Sequence, residues 1–158
     1  MTLSTLGIDI AKLKFDVALR TADDKFLHQT FPNRPEGFAR LAAWLTSREA
    51  GRVHACLEAT GTYGEALAGY LHDAGHTVSV VNPAAIKAFA ASRLSRTKTD
   101  RVDAELIARY CHTQHPQAWA PPAAEILELQ ALGRRLEALV EMRTMETNRP
   151  RRASRARP

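Results

Sequence analysis

Residues 4–33 read "STLGIDIAKLKFDVALRTADDKFLHQTFPN", and the fold turns on them. "LGIDIA" alternates, with Leu6, Ile8 and Ile10 on one side and Gly7 and Asp9 on the other. "KFDVALR" alternates again, with Phe15, Val17 and Leu19 on a shared face. "ADD" is a turn signal, and "KFLHQTF" is a third alternating run. Period-two alternation is the mark of a strand, because successive side chains leave a pleated backbone on opposite faces. Three strands joined by links this short pair as an antiparallel meander.

Beyond the meander the pattern changes period. "PEGFARLAAWLTSREAG" places Phe38, Leu41, Ala42 and Leu45 on one helical stripe, with Pro35 in the first turn and Gly51 after the end. "RVHACLEATG" reads as a strand running into a turn. "TYGEALAGYLHDAG" reads as a helix with Thr62 as N-cap, Glu65 three residues later and Gly75 closing it. "HTVSVVNP" is a short buried strand, and "AAIKAFAASRL" and "KTDRVDAELIARYCHT" are helices. Three meandering strands followed by alternating helices and strands predict an α/β domain with a mixed five-stranded sheet and helices on both faces. Parallel crossovers in it are right-handed.

"AAEILELQALGRRLEALVEMRTMETNR" follows "QAWAPP". Leu129, Leu132, Leu136 and Leu139 recur at three-four-three spacing, a coiled-coil-like seam, with Arg143 at the next position. Packing against a second copy through residues 123–148, or against another domain, is expected over packing on its own domain. The expected organisation is a domain over 1–118, the long helix over 119–149 and a disordered Arg-rich tail over 150–158.

Asp9 is an acid within an otherwise apolar strand, and a charge there is costly unless paired or bound to a metal. Glu58 ends "VHACLE". If the first and fourth strands are parallel neighbours, both acids reach one rim of the sheet. Asp100 and Asp103 share a helix face at i and i+3. Four converging carboxylates repel one another without cations. With two Mg²⁺ or Mn²⁺ ions about 4 Å apart they form a phosphoryl-transfer site. Asp100 and Asp103 are equally favourable as ordinary first-turn acids, and Asp9 as a partner of Lys12 or Lys14, so spacing leaves both readings open.

Lys87, Arg93, Arg96, Lys98 and Arg101 lie within 15 residues, with Asp100 the sole acid among them. They suit the phosphates of a nucleic-acid strand. A solvated basic helix end is the alternative. Thr60 and Thr62, in the turn after Glu58, either contact phosphates or shape the turn. The 158 residues carry a net charge of +5. Setting aside the arginines at 149, 151, 152, 155 and 157 leaves as many bases as there are acids, 17. The excess charge therefore belongs to the tail, and a basic-domain argument must be made locally.

No apolar run reaches the roughly 18 residues of a membrane span. Cys56 and Cys111 suggest no disulfide framework, so a reducing cytosol is the expectation. Cys111, His112 and His115 lack a second ligand pair for zinc. "ATGTYG" lacks the Gly-Lys-Ser/Thr ending of a phosphate loop.

"GIDIAKLKFDVAL", "LEATGTYGEALAGYLHDAGHTVSVVNPAAIKAFA" and "RTKTDRVDAELIARY" closely resemble the DEDD transposases of one insertion-sequence family, over roughly residues 5–148. The resemblance implies a RuvC-like N-terminal domain of the RNase H fold. It implies that the family's four acids fall on Asp9, Glu58, Asp100 and Asp103. It further implies Mg²⁺ or Mn²⁺, DNA, a structured non-coding guide RNA (the bridge RNA), and action on the bacterial nucleoid. Family members also carry a C-terminal domain whose serine attacks DNA. Here "PRRASRARP" follows the long helix, so truncation before that domain is expected. Two functions follow: the metal-dependent catalytic domain of a DNA recombinase, or a non-catalytic fragment that binds nucleic acid or dimerises and inhibits an intact transposase. A sugar-kinase-like ATPase would need a second glycine-rich loop and a second lobe, and neither is visible.

Overall fold

The computed structural model describes residues 3–59, 61–92 and 100–149, and for 100–102 the backbone alone. The elements run β1 (Ser4–Ile10), β2 (Lys14–Arg20), β3 (Phe26–Pro32), α1 (Pro35–Ser47), β4 (Val53–Glu58), α2 (Glu65–Asp73), β5 (Thr77–Val81), α3 (Pro83–Ser92), α4 (Asp100–Gln114) and α5 (Ala124–Thr147). The chain divides into two compact units, Met1–Pro121 and Pro122–Pro158.

The first unit holds one five-stranded sheet in the order β3-β2-β1-β4-β5. The meander pairs antiparallel, as the short links require, while β4 and β5 pair parallel. The sheet is therefore mixed. Leu6, Ile8 and Phe15 are fully buried on one face against Leu41 of α1 and Leu67 and Leu71 of α2. Phe15 anchors this layer, with its ring 5.6 Å from Phe31 and 6.1 Å from Phe38. Burying a side chain of that size contributes roughly 2–3 kcal/mol.

The opposite face is covered by α3 and α4, where Cys56 and Val81 pack with Ile86, Ile107 and Cys111. Helix α4 crosses β1 and β2. Gly7 permits it: a Cβ there would lie 2.0 Å from the Ala104 carbonyl oxygen and 2.4 Å from the Ala108 nitrogen. Only a bare backbone lets the helix come this close.

Two helix ends depart from expectation. Thr62 is not the cap of α2. The helix begins at Glu65 after Gly64, with no side-chain cap, and the Thr62 carbonyl accepts the Glu65 N–H at 3.3 Å. Gly64 tucks against Leu57, where a Cβ would lie 2.7 Å from Leu57 Cδ1, so the chain stays in a turn through residue 64. At the end of α1, Glu49 (φ 52°) takes the first left-handed position, with Gly51 (φ 59°) following in the loop. The end of α2 is as read. Gly75 has φ +86°, and His76 and Gly75 donate to the carbonyls of Leu71 and His72, closing a Schellman motif.

Trp119 packs on the first unit's core, and its backbone N–H donates to the Val78 carbonyl at 2.7 Å. In the second unit, α5 leaves Leu129, Leu132, Leu136 and Leu139 more than half exposed. No helix among the described residues is long and apolar enough to cross a membrane.

Candidate active site

Parallel pairing fixes where Asp9 and Glu58 stand. Ile8 pairs with Leu57, and Asp9 and Glu58 each follow by one residue. Alternation gives both the face of Gly7 and Cys56, the face that α4 covers. Both are half-buried at the carboxyl ends of adjacent strands.

Helix α4 brings the third acid. Asp103 immediately precedes Ala104, whose carbonyl rests over Gly7, and it is half-buried. Its charge is felt on β4. Burial and then the Asp103 carboxylate push Glu58 above the usual carboxylate range, while the Lys87 ammonium on α3 opposes the shift. Glu58, Asp103 and Lys87 thus interact across three elements. Asp100 opens α4 one turn before Asp103, with its side chain outside the described part. Arg93, Arg96, Lys98 and Thr60 lie outside the described residues, as does the Arg101 side chain. Thr62 is exposed in the turn after β4.

The sheet register adds an acid that was not singled out in the sequence. Asp16 is directly opposite Asp9 in the β1–β2 ladder and opposite Thr30 in the β2–β3 ladder. It accepts a hydrogen bond from the Thr30 hydroxyl and lies 3.2 Å from Lys14 Nζ. One row on this face therefore runs Thr30, Asp16, Asp9, Glu58. In the sequence Asp16 is one polar step in "KFDVALR", and only the pairing register sets it beside Asp9.

Among the described residues no three His, Cys, Asp or Glu side chains are gathered closely enough to hold a metal ion. The donor chemistry at the rim nevertheless fits a hard divalent cation. Asp9, Glu58 and Asp103 offer oxygen only. Burial first, and the Asp103 charge second, disfavour the ionised form of Glu58, and a bound cation would offset both.

The sulfur and imidazole groups sit elsewhere. Cys56 and Cys111 are buried between β4 and α4, and the Cys111 thiol donates to the His54 carbonyl at 3.7 Å. Contact with Cys111 and burial push the Cys56 thiol far upward. His54 Nε2 lies 2.8 Å from Ser79 Oγ, which also contacts the Gln117 carbonyl at 2.8 Å. These contacts fasten the segment after α4 to the sheet.

Residues 6–153 match the sequence profile of the DEDD transposases of IS110 type. The chain belongs to this transposase family. Pilin gene-inverting proteins of Moraxella bovis and Moraxella lacunata are each 40% identical to it over 134 residues, covering 84% of this chain and 41% of each relative. The chain thus spans about two fifths of the curated relatives it matches. Thermus thermophilus RuvC superposes with a TM-score of 0.54 at 14% identity, over 74% of this chain and all of that one. The first unit therefore has the RuvC-like, RNase H-type fold that the family resemblance implied, built on the mixed five-stranded sheet expected from the strand pattern.

Proposed function

We propose that Met1–Pro121 is the metal-dependent phosphoryl-transfer domain of a DNA recombinase that acts in transposition. The observation carrying this reading is geometric: the β1–β4 register sets Asp9 and Glu58 side by side at the sheet rim, and the close approach of α4 over Gly7 brings Asp103 to the same face. Asp9, Glu58, Asp100 and Asp103 hold one or two Mg²⁺ or Mn²⁺ ions. When bound, the ions lower the pKa of an attacking hydroxyl and offset charge on the leaving oxygen. Lys87, next to Glu58, holds a strand phosphate, with Arg93, Arg96, Lys98 and Arg101 continuing the track and Thr60 and Thr62 at the turn. The family resemblance supports a structured guide RNA as a second nucleic-acid partner. Inversion of a pilin gene, in the name of the Moraxella relatives, supports DNA rearrangement as the reaction class. Attack by a serine, which the resemblance assigns to another domain, is not supplied by these residues.

Titration calorimetry with Mn²⁺ tests the reading. The native chain binds, and Asp9→Asn and Asp103→Asn lose binding while keeping the native circular dichroism spectrum. Undiminished affinity in both variants would refute the carboxylate site.

A second reading is a nucleic-acid-binding or dimerising fragment without chemistry of its own, able to inhibit an intact transposase. It is favoured by the leucines of α5 that stand more than half exposed along one seam. Absence of Mn²⁺ binding together with retained DNA binding would select it.

A further inference from the structure

One side chain ties together two exposed loops at the rim. Asn33, just after β3, donates from Nδ2 to the Ala11 carbonyl at 2.9 Å and to the Tyr63 carbonyl at 3.0 Å. Its backbone N–H donates to the Leu13 carbonyl at 2.9 Å. Three hydrogen bonds from one residue thus join the β1–β2 hairpin tip to the turn between β4 and α2. Both loops leave the sheet at the carboxyl ends of β1 and β4, beside Asp9 and Glu58. In parallel sheets this is the end where ligands bind.

What the clamp holds is unusual for a loop tip. Leu13 is 80% exposed and Tyr63 is 47% exposed. Lys12 and Lys14 flank Leu13, and Lys14 Nζ lies 3.2 Å from the Asp16 carboxylate, so a strand phosphate would share that ammonium with Asp16. An apolar side chain and an aromatic ring, exposed on loops whose backbones Asn33 joins and edged by cations, match the chemistry of a single strand of nucleic acid. Every base offers a face for stacking, and every linkage a phosphate for an ammonium. A duplex keeps its bases stacked on one another and has no face to give.

We propose that this Asn33-clamped rim is a docking strip for an unpaired nucleic-acid strand, with phosphates on Lys12 and Lys14 and a base on Tyr63 beside Leu13. The inference rests on the recombinase reading, since it names the surface that holds strand next to the acids. It adds a cationic edge on the hairpin side of the acid row.

The test is fluorescence anisotropy of the full chain with a labelled single-stranded oligonucleotide and its duplex, in EDTA. Metal is then irrelevant, so failure here is separable from failure of the Mn²⁺ titration. Tyr63→Ala is expected to weaken single-strand binding about tenfold and duplex binding far less. Lys12→Ala with Lys14→Ala is expected to reduce the slope of log affinity against log salt by about 1.4, two phosphate contacts on a single strand. Asn33→Ala, if it folds, should reproduce the Tyr63 loss with the ring still present. Equal affinities for the native, Tyr63→Ala and double-lysine chains overturn the proposal. So does a Tyr63→Ala loss that is the same for duplex and single strand, or no binding by the native chain.

Discussion

At the scale of single residues, Glu58 is the most informative. Burial and the Asp103 charge raise its pKa in the folded chain. A carboxyl whose folded pKa is raised binds protons more tightly in the native state. Its contribution to stability is therefore most favourable at low pH and falls as pH rises from the unfolded value, 4.5, through the folded one. Glu58→Gln should accordingly raise the metal-free melting temperature at pH 7. Solvent screening at this half-buried site keeps the gain to about 1–2 °C. Differential scanning calorimetry in EDTA checks it, and a lower melting temperature would contradict the electrostatic account. Asp103→Asn should move the Glu58 pKa downward, read from its carboxyl carbon shift in an NMR pH titration. Asp9 was legible in the sequence as an acid in an apolar strand, where a charge is costly; Glu58 was read from its place at a strand end, and Asp103 shared its metal reading with that of an ordinary first-turn acid. Asp16 was not legible, because its importance lies in being opposite Asp9, and a strand's register is a property of the pair rather than of either sequence.

At the scale of elements, the close packing of α4 on β1 decides whether Asp103 reaches the rim. Gly7→Ala places a Cβ against helix backbone that has no rotamer to yield. The helix must move, at about 2–3 kcal/mol by the usual measure of overpacking. Chemical denaturation should show that loss, accompanied by weaker Mn²⁺ binding. A variant of native stability would mean that α4 is free to stand off. Alternation made β1, β2 and β3 readable, and helices were expected on both faces, but nothing in "LGIDIA" says which helix covers the side of Gly7. That this helix is α4 follows from a contact nearly a hundred residues away. The Thr62 cap failed for a related reason. A capping-box pattern was present, yet Gly64 packed against Leu57 kept the turn going and delayed the helix.

At the scale of the whole molecule, two stretches of sequence follow the sheet domain, the long helix and the Arg-rich tail. The leucines of α5 are exposed along its seam, and a second copy is our proposed cover. Leu132→Glu with Leu139→Glu should reduce the mass in solution to that of one chain by analytical ultracentrifugation. An unchanged mass would remove the seam from assembly. The arginines at 151, 152, 155 and 157 hold most of the charge excess. Deleting 150–158 should lower the salt slope of duplex DNA binding by up to about 3.6, with less change if the arginines contact DNA only in part. An unaltered slope would deny the tail any phosphate contact.

The central claim is that the acids delivered by β1, β4 and α4 hold a divalent cation, and anomalous diffraction from crystals soaked in Mn²⁺ tests it most directly. The account predicts one or two peaks among Asp9, Glu58, Asp100 and Asp103, absent from Asp9→Asn crystals. Density without a peak there, or a peak that survives the substitution, would contradict it.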